Sequence, residues 1–287
     1  MRRYTGSRKK LFASGVPGQV VLRDRGRFRV CQGVFAPDCR SDELAVARTI
    51  QTAAVFEHLH KREIRTHWTG EWFSLGDGLV VEEASVPERE SLSGHTELMA
   101  VGPKLTVRTR VSQSFRERIV QDKVRLSREH WLRDDLPELG ARLQRPFVEA
   151  LWKEEFEQYS ASDLPQLYRW VSEVVHNLET FCNHFGAEVL DVTLSVARCL
   201  QSGEFVLIGS LSLDELTLVL GRQEYGRETL LNWYKLKQPG WYGSLQAAQR
   251  RYPYEPARWP ACPPLPADIE GQHLQIHLDM QHQFDGV

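Results

Sequence analysis

A chain of 287 residues, 41% apolar, 26% charged and 10% aromatic, with a formal charge of −2, has the make-up of a globular protein. That balance excludes a disordered chain, and it argues against a dedicated nucleic-acid binder, which needs a basic excess to release phosphate counterions. No apolar run approaches the roughly 18 residues of a membrane span. MRRYTGSRKK has no apolar segment behind its charges, so the expectation is a cytoplasmic protein with neither membrane nor nucleic acid as partner.

In chain order, Gln19–Leu22 and Arg27–Cys31 are short β-branched runs around an Asp24–Gly26 turn, which predicts a hairpin. A helix is predicted over 42–62, with Leu44, Ala47, Ile50, Ala54 and Leu59 near helical spacing. Trp72–Val81, with Gly76-Asp77-Gly78 inside it, reads as a second hairpin, 87–102 as a loop and domain boundary, and Leu105–Val111 as a strand. Over 163–185, Leu164, Leu167, Val171, Val174, Leu178, Phe181 and Phe185 repeat at threes and fours, which predicts a helix ended by Gly186. Strands are predicted at Val189–Ala197 and from Glu204; in the first, Leu190, Val192, Leu194 and Val196 share one face and Asp191, Thr193 and Ser195 the other. Six prolines between Pro253 and Pro266 predict an extended spacer, and the alternation of HLQIHLDMQ beyond it predicts an edge strand.

The five cysteines, Cys31, Cys39, Cys182, Cys199 and Cys262, form no C-x-x-C pair, so reduced thiols are expected. On the predicted last strand His273, His277 and Asp279 share one face, followed by His282. Alternate strand residues lie about 6.8 Å apart, so a solvated face is the simpler reading than a metal site. His58 and His60, two apart on a helix, point in different directions. Arg108 and Arg110 share a strand face leading to Ser112 and Ser114, where two guanidiniums could clamp a phosphate; the basic residues onward to Arg133 read mostly as a solvated face. Trp233–Trp259 mixes aromatics with Lys235, Lys237, Arg250 and Arg251, as single-strand binders do, but the overall acidity argues against that use.

Several segments in order resemble the SAICAR synthetase (phosphoribosylaminoimidazole-succinocarboxamide synthase) family over residues 4–252. YTGSRKKLF resembles the opening Y-x-G-K-x-K-x-x-Y, VFEHLHKREIRTHW the segment L-F-E-K-L-x-x-x-G-I-P-T-H-F, and LTVRTRVSQSF the phosphate strand V-V-V-R-N-x-x-x-G-S. PFVEALWKEE is similar to P-x-x-E-x-x-x-K-D-D, and EVLDVTLSVA with SGEFVLIGS to D-F-K-L-E-F-G and the following L-x-D-E. The resemblance implies an α+β, two-lobed fold: a β-rich nucleotide lobe at 1–103, a mixed substrate lobe at 104–252, then the spacer and strand at 253–287. It implies amide formation from a carboxylate, through an acyl phosphate made with ATP and Mg²⁺, and the amine of an amino acid such as aspartate. The implied partners are a small acidic or phosphorylated substrate and that amino acid, with a homo-oligomer as the assembly.

Carried over residue by residue, the resemblance puts Lys9, with Lys10 beside it, on ATP phosphates, Asp214 and Glu215 on Mg²⁺, and Asp191 among the catalytic groups. Arg108, Arg110, Ser114 and Arg222 would hold the substrate. The chain departs from the pattern at Ser7, Thr193 and Ser195, each in place of a charged residue, and at Gln113 in place of a glycine. Two registers stand for the D-E pair: a gapless one puts Gly209 and Ser210 there, and one with about five extra residues puts Asp214 and Glu215 there with Arg222 as the motif arginine. Two functions follow, a ligase of a specialised pathway or a non-catalytic binding or regulatory protein on the same fold.

Overall fold

Alternating apolar residues build the first sheet of the computed structural model, which describes residues 3–5, 8–31, 33–74, 77–86, 91–101, 104–120, 141–150, 163–252 and 255–287. β1 (Arg3–Thr5), β2 (Lys9–Ala13) and β3 (Gln19–Asp24) run antiparallel. The predicted hairpin of β3 with the next strand does not form, because β4 (Arg27–Cys31) pairs with β5 (Val34–Arg40) instead. Gly26 explains the departure. At φ +62° its N–H binds Asp24 Oδ1 at 2.8 Å, and its carbonyl accepts from Ser41 N at 3.0 Å, so the chain turns out of the sheet under the start of the first helix. That helix, α1 (Asp42–His60), is capped by Ser41 Oγ, which accepts from Leu44 N, and carries Asp42 and Glu43 at its positive end. β6 (Trp68–Phe73) and β7 (Gly78–Glu82) make the second predicted hairpin and complete the order β1-β2-β3-β7-β6.

The second sheet is organised by one long strand. It comprises β8 (Ala84–Ser85), β9 (Leu98–Ala100), β10 (Leu105–Arg110), β11 (Arg142–Ala150), β12 (Ala187–Cys199), β13 (Phe205–Ile208), β14 (Leu216–Leu220) and β15 (Gln223–Gly226). β10 and β14 flank the first half of β12, and β9 and β13 its second half. α2 (Gln113–Val120) follows β10 and α3 (Asp163–Asn183) precedes β12; α4 (Thr229–Lys237), α5 (Pro239–Arg251) and α6 (Ala267–Asp285) close the chain order. This is the α+β architecture expected. A single apolar core joins both sheets to α1, α3 and α6 through Val20, Leu79, Phe56, Leu178, Val192 and Phe284, and a second one gathers Phe28, Leu44, Tyr234 and Leu245. No helix of the described residues is long and apolar enough to cross a membrane.

The predicted edge strand at the end is instead α6. Its buried residues, His273, His277, Met280 and Phe284, recur at four, three and four, the period of a helix face. The strand reading set the histidines apart as polar; they sit inside with Met280, while Leu274, Ile276 and Leu278 are only half-buried and Asp279 and His282 are exposed. The described part of the proline-rich stretch, 255–266, is irregular apart from a 3-10 turn at Pro256–Arg258, but it is docked rather than a free spacer: Tyr234 Oη donates to Pro263 O at 2.7 Å, and Leu265 is buried. Phe284 lies edge-on to Phe181 at 5.1 Å, so Phe284→Ala is expected to cost about 3–5 kcal/mol by urea unfolding. A cost under about 1 kcal/mol would show that α6 does not close the core.

Candidate functional site

The turn after β13 carries two adjacent acids into the interior. Glu215 N bonds Ser212 O, while Ser212 N and Oγ donate to Glu215 Oε2 at 3.1 and 2.9 Å, which tightens the turn and buries Asp214 and Glu215. Arg8, just before β2, lies across them: its Nη1 is 3.0 Å from Asp214 Oδ2 and its Nη2 2.5 Å from Glu215 Oε1. Arg48 of α1 reaches Asp214 Oδ2 at 2.7 Å, and Asp24 at the end of β3 receives both guanidiniums, at 3.3 Å from Arg8 and 3.2 Å from Arg48. Burial by itself would raise both carboxyls, but Arg48 and Arg8 outweigh it at Asp214, as Arg8 and Lys9 do at Glu215, and both are held well below the usual carboxylate range. The result is a buried network of mutually neutralised charges.

These residues do not fit a magnesium ion. Three of the four carboxylate oxygens already face the chain's own donors: Asp214 Oδ2 and Glu215 Oε1 face guanidiniums, and Glu215 Oε2 accepts from Ser210 Oγ and from Ser212. The fourth, Asp214 Oδ1, faces His277 Nε2 at 3.6 Å. Mg²⁺ wants an octahedron of oxygens, most of them water, and its entry would expel two guanidiniums from their buried partners.

The β12–β13 hairpin sets what stands beside Lys9. Ser195 pairs with Ile208, so Gly209 follows at once, and a Cβ placed on Gly209 would lie 3.5 Å from Ser195 Oγ and 3.9 Å from Lys9 Nζ. His67, pulled down to about 4 by burial and therefore neutral, donates from Nε2 to Gly209 O at 3.0 Å and fixes that corner. Lys9 itself makes no ion pair among the described residues. Lost hydration, reinforced by Arg8 and Lys104, pulls its ammonium down to about 7 against Glu215 and Asp24. Lys10, its neighbour in β2, points to the opposite face of the strand and cannot join it.

The other predicted site residues fall in different places. Asp191 is buried in β12 between Arg108 at 3.1 Å, Arg227 at 3.1 Å and the Thr217 hydroxyl at 3.0 Å. Arg108 is further covered by the Phe115 ring, 4.5 Å from its guanidinium carbon. The expected Arg108–Arg110 clamp is thus divided, since Arg110 turns outward to Glu188 at 3.3 Å across an irregularity in the β10–β11 pairing. Thr193, where the resemblance has a lysine, hydrogen-bonds Arg227, so an arginine from a later segment occupies that neighbourhood. Arg222 sits exposed in the β14–β15 turn with no ion pair among the described residues. The Ser114 side chain lies outside the described residues, as do Lys123, Arg125, Arg128 and Arg133.

Sequence reasoning missed Arg8, Asp24, Arg48 and Arg227. Arg8 fills the variable position of the opening motif, and only its partners give it meaning. Arg48 carried a signal: with Gln51 and Thr52 it makes a polar i, i+3, i+4 stripe beside the apolar stripe of α1, and all three are buried, whereas Ile50 and Ala54 are only half-buried.

No family model matches the chain, and no curated protein matches it. Solved structures do. A phosphoribosylaminoimidazole-succinocarboxamide synthase from Ehrlichia chaffeensis is similar with a TM-score of 0.65 at 11% identity, over 99% of this chain and 98% of that one. The SAICAR synthase from Saccharomyces cerevisiae complexed with SAICAR gives 0.69 at 10% identity, over 99% and 94%. A SAICAR synthetase in complex with ADP gives 0.55 at 16% identity, over 88% and 98%. Across nearly its whole length, this chain has the fold of the SAICAR synthetases.

Proposed function

We propose that this protein binds a small phosphate-bearing anion at Lys9 without a divalent metal, and that it is a non-catalytic protein built on the SAICAR synthetase fold. The observation that carries this reading is the engagement of Asp214 and Glu215 by Arg8 and Arg48, which leaves Asp214 Oδ1 as the one carboxylate oxygen of the pair facing no guanidinium or hydroxyl, too few for the oxygen octahedron of Mg²⁺. Gly209 and Ser195 beside Lys9 supply no carboxylate either, and without a cation bridging the phosphates an acyl phosphate has no means of forming there. Lys9 remains as an ammonium with no direct ion pair among the described residues, the kind of group a phosphate oxygen neutralises. One similar structure holds ADP, which makes ADP and ATP the first ligands to try.

The test is a calorimetric titration with ATP or ADP, with and without Mg²⁺, across pH. Lys9 loses its charge as pH rises through about 7, so binding is expected to be strongest near pH 6 and to weaken toward pH 8.5, with no gain from Mg²⁺. Lys9→Met is expected to weaken binding about 10- to 100-fold and to abolish the pH dependence. Mg²⁺-dependent binding with release of ADP, lost in Asp214→Asn with Glu215→Gln, would overturn this reading in favour of a ligase.

A further inference from the structure

The inner face of α6 carries chemistry that the anion site at Lys9 does not use. His273 and His277 stand one helical turn apart, their ring centroids 4.9 Å from each other, and both are buried. Their nearest acid is Asp214, and one donor atom from each of the three residues lies within 4.8 Å of the others. Buried imidazoles ordinarily have hydrogen-bond partners. Here both ring nitrogens of His273 and Nδ1 of His277 have none among the described residues, and His273 instead meets the Phe28 ring at 5.4 Å.

We propose that Asp214 Oδ1, His273 and His277 form a buried site for a transition-metal dication of the zinc type, which staples α6 to the turn after β13. Two histidines at i and i+4 on a helix, completed by a carboxylate from another element, are a donor set suited to Zn²⁺, with one coordination position left open. Zinc–ligand bonds of about 2.0–2.1 Å in a tetrahedron hold donor atoms roughly 3.4 Å apart. The 3.6 Å between His277 Nε2 and Asp214 Oδ1 is close to that already, and the remaining approach to His273 is within a small side-chain adjustment. Burial keeps both imidazoles neutral, lowering His273 to about 4 and His277 well below its ordinary value, and the neutral ring is the ligating form. Arg8 and Arg48 on the second oxygen of Asp214 hold the carboxylate in place, as the outer partners of metal-bound carboxylates do. Their positive charge opposes the ion, so only a metal with strong affinity for imidazole is expected to enter, and Mg²⁺ and Ca²⁺ are not.

The full chain, stripped with a chelator and then titrated with Zn²⁺, tests this without recourse to any activity. One equivalent is expected to bind saturably and raise the melting temperature, while Mg²⁺ does neither. His273→Asn and His277→Asn are each expected to weaken Zn²⁺ binding at least about tenfold, and His282→Asn, on the exposed face, to leave it unchanged. Absence of saturable Zn²⁺ binding, or unchanged binding in both inner-face variants, overturns the proposal. Should those variants fail to fold, Co²⁺ added to the wild-type chain decides: intense tetrahedral d–d absorption at one equivalent supports the site, and weak octahedral absorption alone overturns it. The anion site can fail its own titration without touching this result.

Discussion

Replacing Asp214 by asparagine is expected to lower stability by about 3–5 kcal/mol in urea unfolding, because it leaves Arg48 and Arg8 buried with too little opposing charge. The cost arises chiefly from the guanidiniums left behind, not from lost attraction alone. Among the described residues Arg48 keeps only Asp24, at 3.2 Å, and the Arg27 carbonyl, at 2.9 Å. Glu57→Gln supplies the contrast: its pair with Lys61 is exposed on both sides, and a change within about 0.5 kcal/mol is expected. The pH dependence has a definite sign. Asp214 and Glu215 have folded-state values depressed below those of the unfolded chain, so their contribution is fully present above about pH 5 and is lost progressively as the pH falls below it. Asp214→Asn should therefore flatten the acid limb of the stability curve. A loss under about 1 kcal/mol with an unchanged acid limb would sink the account of mutual neutralisation.

Gly26→Ala is expected to cost about 2–3 kcal/mol, for a reason that starts in the backbone. A Cβ at this position would sit 1.8 Å from Ser41 O, and the residue occupies the left-handed region at φ +62°. The conformation costs about 1–2 kcal/mol for any residue with a Cβ. Relieving the contact must also move Ser41, whose side chain caps α1 and whose loss as a cap costs about 1 kcal/mol more. Gly221 separates these contributions: it has φ +66°, but a Cβ there would meet nothing within 4 Å, so Gly221→Ala should show the conformational cost alone. Equal losses in the two variants by thermal unfolding would rule out the close approach of Ser41 as the cause.

Local signals in the sequence were sufficient wherever one element decides its own shape. α1 and α3 follow from apolar spacing, with Gly186 as the stop signal after α3, and the β6–β7 hairpin from its glycine turn. Partner choice was less legible. β3 and β4 look like a hairpin because two β-branched runs flank a turn, yet the hydrogen bond from Ser41 to Gly26, fifteen positions on, sends them to different sheets. HLQIHLDMQ satisfies both a period of two and a period near four, and the decision rests on whether its histidines are inside, which depends on Phe28 and Asp214 far away in sequence. The site shows the same division. Lys9, Asp191, Asp214 and Glu215 are charged residues on or beside strands and were legible as candidates. Their neutralisation was not, because Arg8, Arg48 and Arg227 become informative only when the fold brings them into contact with those acids.

The bond from Arg8 to Asp214 spans 206 positions, and that from Gln51 to the His277 carbonyl spans 226. Contacts of such separation reward the chain only after both sheets and α6 have closed around them, so they cannot guide the early search for the fold. The charges are therefore expected to lose their water late in assembly, beyond the rate-limiting barrier. Interactions made on that side of the barrier slow unfolding and leave the folding rate nearly untouched. Asp214→Asn should accordingly speed unfolding while leaving the folding rate nearly unchanged, the behaviour of a kinetic latch that sets how long the native state lasts.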